Sequence, residues 1–185
     1  MKKYVTSISR LAVLAVIGGG LCLGVSVQAA EKKEEKKTER PSTSPAANAL
    51  SAKDKSFMKE AAQGGMMEVD MGKMAQQKGK SDDVKKFGSR MVADHSKANA
   101  ELMGIAKKKG VDLSKEKAKM KKLNDANFDK EYVNAMVKDH EEDLAAFQAE
   151  AKNGGDADVK AFASKGSAMI QKHLDMAKAA QAKIK

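Results

Sequence analysis

The sequence has little of what a β-rich protein needs. Its 185 residues include no Trp, two Pro and only 4% aromatic residues. An all-β fold requires frequent turns, which two prolines and 14 glycines do not supply. The hydrophobic fraction of 42% excludes a wholly disordered chain. Any core must be built from Ala, Met, Leu and Val, a set rich in helix formers, so the composition predicts one all-α domain with appended segments.

The first 29 residues have the pattern of a signal peptide. A basic start precedes an uncharged apolar run over Leu11–Val25, and Val27-Gln28-Ala29 ends this segment with a small residue. We therefore predict cleavage after Ala29 and export to the periplasm. An uncleaved membrane anchor is the alternative, because the uncharged run continues to Ala30 and about 20 apolar residues can span a bilayer.

Cleavage would change both the cysteine content and the charge of the chain. Cys22, the only cysteine, would leave with the signal peptide, so we expect no disulfide in the mature protein. Loss of Lys2, Lys3 and Arg10 would lower the formal net charge from +10 to +7. The remaining charges are dispersed and interleaved with acids, which is typical of a solvated helix surface. No nucleic-acid partner is predicted, and no membrane span after signal removal.

A linker is predicted over residues 30–50. Glu31–Arg40 mixes both charge signs without an apolar residue, and Pro41–Pro45 follows with both prolines of the chain. Such a segment buries too little apolar surface to offset the entropy of ordering it. We therefore expect a disordered spacer there and a folded domain over residues 51–185.

From Ser51 onward, helical periodicity dominates. Ser51 and Asp54 form a helix-start signal. The apolar pattern then predicts four amphipathic helices. These run from Ser51 to about Lys78, from Ser81 to Gly110, from Phe128 to Asn153, and from Asp156 onward with Met169, His173 and Met176 on the core face. A polar connection over residues 111–127, with a short helix after Ser114, joins the second helix to the third.

An internal repeat relates the two helical pairs. Asp83–Arg90 matches Asp158–Lys165 at an offset of 75 residues. The same offset places Gly79 on Gly154 and Glu68 on Asp143, and a three-residue insertion places His95 on His173. The sequence therefore predicts an all-α, ferritin-like four-helix bundle of two pseudo-repeated helical hairpins, with the long connection crossing the bundle.

Ionisable residues on the predicted core faces indicate a candidate site. All three histidines, His95, His140 and His173, fall on these faces, and so do Glu68 and Asp143. We expect Glu68 and the three histidines to converge near the middle of the bundle, with Asp143 at the edge, and inward carboxylates and imidazoles of this kind can hold a metal. Because an unpaired buried polar group costs about 1–3 kcal/mol, these residues need partners. Two interpretations remain open: a metal site, or a metal-free hydrogen-bond network.

Two neighbouring aspartates are given a different role. Asp94 and Asp139 each precede a histidine and are expected to face solvent. Their expected partners are Arg90 or Lys138 and nearby residues.

Four segments carry a resemblance to a known family. They are Phe57–Val69, Arg90–Asn99, Met136–His140 and His173–Ala177. Over about residues 52–183 the chain resembles the domain-of-unknown-function family numbered 4142, which is described as exported bacterial proteins of the periplasm or outer membrane. The resemblance implies a ferritin-like fold, bacterial export and association with the outer membrane as a further location. It implies no particular activity.

The candidate ligands differ from those of di-iron ferritin-like proteins. Those proteins carry Glu-x-x-His on two helices. Here Val92 stands three residues before His95, and Ile170 three before His173. The chain therefore lacks both bridging glutamates, and at most one transition-metal ion is expected. Imidazole with carboxylate suits Zn, Fe, Ni or Cu.

Two functional classes follow from these observations. The first is a structural or binding module of the cell envelope, linked to stress tolerance, which acts through an envelope protein or by self-association. The second is a metal-binding or redox protein that uses the buried cluster. The sequence has no G-x-S-x-G, H-E-x-x-H or Gly-rich phosphate loop, which disfavours a hydrolase, and an enzymatic role is not favoured. An exposed apolar groove would favour the first class, and convergence of the imidazoles the second.

Overall fold

The computed structural model describes residues 50–184, and this part of the chain is all-helical. Its four helices are α1 (Ala52–Lys78), α2 (Asp82–Lys109), α3 (Phe128–Asn153) and α4 (Ala157–Gln181). Residues 50–184 contain no strand, so the prediction of an all-α helical bundle is confirmed. The predicted signal peptide, and the predicted linker up to residue 49, lie outside the described residues and stay predictions.

The helix boundaries follow from local capping chemistry. Ser51 and Asp54 form a capping box at the start of α1, as their spacing predicts. Ser81 and Asp156 cap α2 and α4 with side-chain oxygens that accept backbone N–H groups. Gly110 ends α2 with a φ of 70°, a left-handed conformation that glycine adopts without steric cost. These signals act over three or four residues, which is why the sequence located the helix ends well.

Ion pairs at the helix ends define the topology. Lys78 at the end of α1 lies 2.7 Å from Asp125, just before α3, and Lys109 at the end of α2 lies 2.6 Å from Asp156 at the start of α4. Helices α1 and α3 are therefore antiparallel, and so are α2 and α4. The connection between α2 and α3 consequently runs from one end of the bundle to the other.

Two apolar clusters fill the bundle on either side of a polar layer. One is rich in phenylalanine and contains Phe57, Phe147 and Phe162, whose ring centroids lie 4.9–6.4 Å apart. The other is rich in methionine and contains Met67, Met71, Met91 and Met136 beside Phe87 and Tyr132. Six buried polar residues belong to neither cluster. Asp54 and Glu150 lie near helix ends, and the other four form the polar layer; they are Glu68, His95, His140 and His173.

Three local expectations were wrong. Leu50, assigned to the linker, is buried in the phenylalanine-rich cluster. The connection forms only a turn at Ser114 and Lys115, and its single helical turn is a 3₁₀ helix at Asp125–Asn127, where the Asn124 side chain caps the backbone. Met176, predicted on the core face of α4, keeps a side-chain exposure of 39%. Within residues 50–184, no helix is both long and apolar enough to traverse a bilayer.

Candidate metal centre

Each of the four helices contributes one member of the buried polar layer. Glu68 comes from α1, His95 from α2, His140 from α3 and His173 from α4. The centroids of the three imidazole rings lie 5.1–5.9 Å from one another. One ring nitrogen of each histidine lies within 4.8 Å of a ring nitrogen of the other two. We call His95, His140 and His173 the three-histidine group.

One nitrogen of every imidazole lies within hydrogen-bond distance of a separate protein oxygen. His95 Nδ1 lies 2.7 Å from Glu68 Oε2, and His173 Nε2 lies 2.9 Å from Asp94 Oδ2. His140 Nδ1 lies 2.9 Å from the carbonyl oxygen of Met136, one turn earlier on α3. Metal-binding histidines are oriented in this way, with the second N–H donated to a carboxylate or carbonyl.

The other three nitrogens face one another. His95 Nε2 and His173 Nδ1 are 3.1 Å apart. In a tetrahedral zinc site with Zn–N bonds of about 2.1 Å, two nitrogens stand about 3.4 Å apart. The spacing of this pair is therefore close to that of two ligands of one ion, and His140 Nε2 is the third candidate. The donor set of three imidazoles fits a transition metal of the zinc type with one open position.

Without an ion, a proton chain can satisfy only part of the layer. Burial raises the pKa of Glu68 well above its usual value, and burial lowers the pKa of His95 to about 4. A protonated Glu68 can therefore donate to His95 Nδ1, His95 Nε2–H to His173 Nδ1, and His173 Nε2–H to Asp94. Every member of that chain is neutral except Asp94, whose pKa is kept low by its bonds to His173 and Arg90 despite the opposing effect of burial.

Four buried polar atoms stay outside that chain. Glu68 Oε1, His140 Nε2, Asp139 Oδ2 and Tyr132 OH find no hydrogen-bond partner among residues 50–184. An orphaned buried polar atom costs about 1–3 kcal/mol, and native proteins rarely leave several together. Burial also lowers the pKa of His140 to about 3, so this imidazole is neutral and its Nε2 lone pair is available to a ligand. The metal-free network thus accounts for His95 and His173, whereas His140 Nε2 has only Glu68 Oε1 at 3.5 Å, beyond the usual range of a hydrogen bond.

The structure brings Glu68 and the three histidines together and leaves Asp143 at the edge of this group. Asp143 lines a cavity of about 20 Å³ beside Glu68 and His95, which is room for about one water molecule. Burial is the main effect that raises the pKa of Asp143 to about 8. Whether any of these residues binds a metal stays a prediction.

Sequence reasoning did not assign three residues to the site, namely Asp94, Asp139 and Lys121. Asp94 pairs with Arg90, as expected, but its Oδ2 also holds His173 across the α2–α4 contact. Asp139 pairs with Lys121 of the connection rather than with Lys138, and its side chain is only 13% exposed. The only available signal was that both aspartates flank a core histidine, and helical periodicity assigns such neighbours to the outside.

A surface groove lies next to the layer. It has a volume of about 470 Å³ between α2 and α4 and is lined by Asp94. Its other charged lining residues are Arg90, Lys97, Glu101, Lys165 and Lys172. Four basic and two acidic side chains therefore face this groove.

Comparison with known proteins identifies a family. Searches of curated proteins and of solved structures find no match to this chain. A family model described as "Domain of unknown function (DUF4142)" matches residues 39–180, which include all four helices up to the last turn of α4. The family expected from the four sequence segments is therefore confirmed: the chain belongs to the DUF4142 family.

Proposed function

We propose that this protein binds one transition-metal ion at the three-histidine group. The observation that carries the proposal is the orientation of the imidazoles. Three rings, from three different helices, each have one nitrogen next to a protein oxygen, and each offers a nitrogen within 4.8 Å of a nitrogen of the other two. His140 is the strongest case, because its Nε2 is buried and makes no hydrogen bond within residues 50–184, although Glu68 Oε1 lies 3.5 Å from it.

Each residue has a distinct role in this proposal. The three imidazoles are the ligands, and Glu68, Asp94 and the Met136 carbonyl fix their tautomers and orientations. A fourth position stays open for water or a small ligand, as in three-histidine zinc sites. Zn, Fe, Ni and Cu all accept imidazole ligands, so the donor set alone does not select among them.

Export and the ferritin-like relationship form part of the same proposal. The basic and apolar start of the chain supports export, and intact-mass measurement of the native protein tests it, since cleavage after Ala29 leaves Ala30 first. A ferritin-like fold is supported by the connection that crosses the bundle and by the similar turns at Gly79 and Gly154. In both turns the glycine N–H returns to the carbonyl four residues earlier.

A structural or binding module of the envelope has weaker support. The exposed large hydrophobic residues of the described part are Met103, Met120 and Met176, and they lie on three different segments. A docking surface requires a contiguous apolar patch rather than single exposed residues. The buried layer therefore favours the metal-binding class.

Thermal unfolding with and without metal tests the proposal. Added Zn²⁺ should raise the melting temperature of the untagged wild type by mass action. The His140→Ala variant should lose most of this response, because outer partners alone contribute about 10–100-fold to metal affinity and a ligand contributes more. Lys138→Ala is the matched control, since its side chain is 77% exposed on the same helix.

The alternative predicts a different pattern. If the layer is only a hydrogen-bond network, His95→Ala should destabilise the protein by about 1–3 kcal/mol equally with and without metal. Wild-type protein that contains no metal after purification from the periplasm, and whose melting temperature does not respond to Zn²⁺, Co²⁺, Ni²⁺ or Cu²⁺, would contradict the metal-binding function.

A further inference from the structure

A second set of potential ligand atoms adjoins the three-histidine group. Glu68, Asp139 and His140 each offer one atom within 4.8 Å of the other two. We call these residues the mixed group, because two carboxylates join one imidazole. Glu68 Oε1, Asp139 Oδ2 and His140 Nε2 are the orphaned atoms of the layer, and Tyr132 OH is the fourth. Glu68 and His140 are at least 98% buried, so these atoms face the protein interior rather than solvent.

The two groups share one lone pair. His140 Nδ1 is engaged by the Met136 carbonyl, which leaves Nε2 as the only coordinating atom of this ring. Because Nε2 can bind one ion at a time, the groups are alternative positions for a single ion. An ion that passes from one group to the other would exchange carboxylate ligands for imidazoles while it stays bound to His140.

The mixed group is the one nearer to solvent. Asp139 is 13% exposed, whereas the side chains of His95 and His173 are 5% and 1% exposed. Lys121 covers Asp139, with Nζ 2.5 Å from Asp139 Oδ1 and 38% of the lysine side chain exposed. Lys121 belongs to the part of the α2–α3 connection that has no regular secondary structure. Its side chain can therefore move without breaking a helix.

Charge favours this face over the α2–α4 groove as a path for a cation. Asp139 places a carboxylate at the face that Lys121 covers, and Glu68 adjoins it in the mixed group. The groove instead has four basic and two acidic side chains, a surplus of positive charge that repels a cation. The ammonium group of Lys121, bound to Asp139, occupies the position where an incoming cation would bind.

We propose that the metal ion reaches the three-histidine group through the mixed group of Glu68, Asp139 and His140, and that Lys121 closes this path when no ion is passing. This inference rests on the proposed function, because it requires that the three-histidine group binds metal. Lys121 is a gating residue, and Asp139 is a transient ligand that takes no part in the final three-imidazole set.

Stopped-flow kinetics of Co²⁺ binding test the gate. Co²⁺ occupies zinc-type sites and reports its coordination through visible absorption. Lys121→Met should raise the association and dissociation rates together, by roughly tenfold, because a repelling charge leaves the path. Asp139→Asn should lower both rates by a similar factor. In each variant the equilibrium affinity should change by less than about threefold, since the final ligands are intact.

A double variant separates a gate from a distant charge effect. If Lys121 acts by occupying Asp139, Lys121→Met in the Asp139→Asn background should change the rates by less than about twofold, whereas independent effects would multiply. Lys178→Met is the matched control. It removes a lysine that pairs with Glu141 of α3 at 2.8 Å, with both side chains 51% exposed, away from the layer. Its rates should equal those of the wild type.

The outcomes distinguish the two proposals. Metal binding with rates that Lys121→Met and Asp139→Asn leave unchanged would overturn the gate while the proposed function stands. A weaker affinity of Asp139→Asn with normal association would make Asp139 a permanent ligand and would also overturn the gate. Slower binding by Met169→Trp, which fills the α2–α4 groove, together with normal Lys121→Met rates would assign the path to the groove. Wild-type protein that binds no metal would overturn the proposed function itself.

Discussion

The two hairpins are built alike but serve the buried layer differently. The turns of α1–α2 and α3–α4 have nearly the same glycine conformation, with φ and ψ of −57° and 137° at Gly79 and −61° and 152° at Gly154. The second helix of each supplies one histidine, His95 or His173. The first helices differ: α1 supplies Glu68, whereas α3 supplies His140.

The difference is concentrated in a few positions. At the offset of 75 residues, Asp139 and His140 of α3 correspond to Gly64 and Gly65 of α1. The α1 glycines lie opposite partners from other helices, since a Cβ at Gly65 would stand 2.1 Å from Asn99 Oδ1. At Gly65 the side chain of Asn99 from α2 occupies the room that a side chain of α1 would need, whereas α3 places its own polar side chains at the corresponding positions. A nearly symmetric scaffold can thus carry an asymmetric site through changes at adjacent positions.

Substitutions at Glu68 and Asp143, which occupy corresponding positions in the two hairpins, should differ most in their effect on metal affinity. Glu68→Gln should weaken metal affinity by about 10–100-fold, because a neutral amide oxygen accepts His95 Nδ1–H more weakly than a carboxylate and raises the basicity of the ring less. Asp143→Asn should change affinity by less than about threefold, since Asp143 lies outside both ligand groups. Calorimetric titration with Zn²⁺ measures both. Equal losses in the two variants would mean that the hairpins contribute symmetrically.

Two glycines of α1 should differ in how much their replacement by alanine changes the stability of the protein. A Cβ at Gly72 would stand 2.8 Å from the carbonyl oxygen of Gly88 in α2, a backbone atom that cannot move aside. Gly72→Ala should therefore lower the free energy of unfolding by about 1–3 kcal/mol. Gly64→Ala is the matched control, because its nearest atom would be Asp143 Oδ2 at 3.8 Å. It should be neutral or stabilising by up to about 1 kcal/mol, since alanine favours helix. Denaturant unfolding in the presence of a chelator measures both, and similar values would contradict the close α1–α2 contact.

The smallest expected effect concerns the pH dependence of the ion-free protein. The pKa of Asp143 is raised from 3.8 to about 8, first by burial. The native state therefore holds a proton that the unfolded chain has lost, and this contribution to stability falls as the pH rises toward 8. The histidines have the opposite effect on stability. The pKa of His95 is lowered from 6.5 to about 4, so the stability that its neutral form contributes is lost as the pH falls from 6.5 to 4. Above pH 6.5 only the carboxyl effect remains.

Melting temperatures measured at pH 6.5 and 8.5 in the presence of a chelator check that stability falls as the pH rises. Wild type should melt lower at pH 8.5, and Asp143→Asn should lose less of its melting temperature between the two values. Glu142→Gln, with a side chain that is 65% exposed next to Asp143, should keep the wild-type difference. A wild-type melting temperature that rises over this range would show that Asp143 is ionised in the native state.

The sequence predicted the fold better than the site for a physical reason. Helix starts at Ser51 and Ser81, and the turns at Gly79 and Gly154, depend on contacts within a few residues, and the structure has them where the sequence puts them. Periodicity also placed Glu68 and the histidines inside the bundle.

The missing parts of the site depend on contacts between distant segments. Lys121 reaches Asp139 from an irregular connection, where no period indicates which residue faces the bundle. Asp94 lies at the border of the α2 surface, so it can face solvent and still hold His173 of α4. The prediction for Met176 was wrong for a related reason. Met176 lies at the border between the buried and the exposed face of α4, and helical periodicity assigns it to the core although no neighbouring helix covers it.

Each helix supplies one side chain to the buried polar layer, and this arrangement affects how the domain unfolds locally. Local openings of a protein usually expose one contiguous cooperative unit while the rest stays folded. Here a hairpin that detaches alone would remove two of the four members of the layer and release any ion held there. An ion at the three-histidine group would therefore suppress sub-global opening of either hairpin. The bundle would then exchange its amide hydrogens as one cooperative unit rather than as two halves.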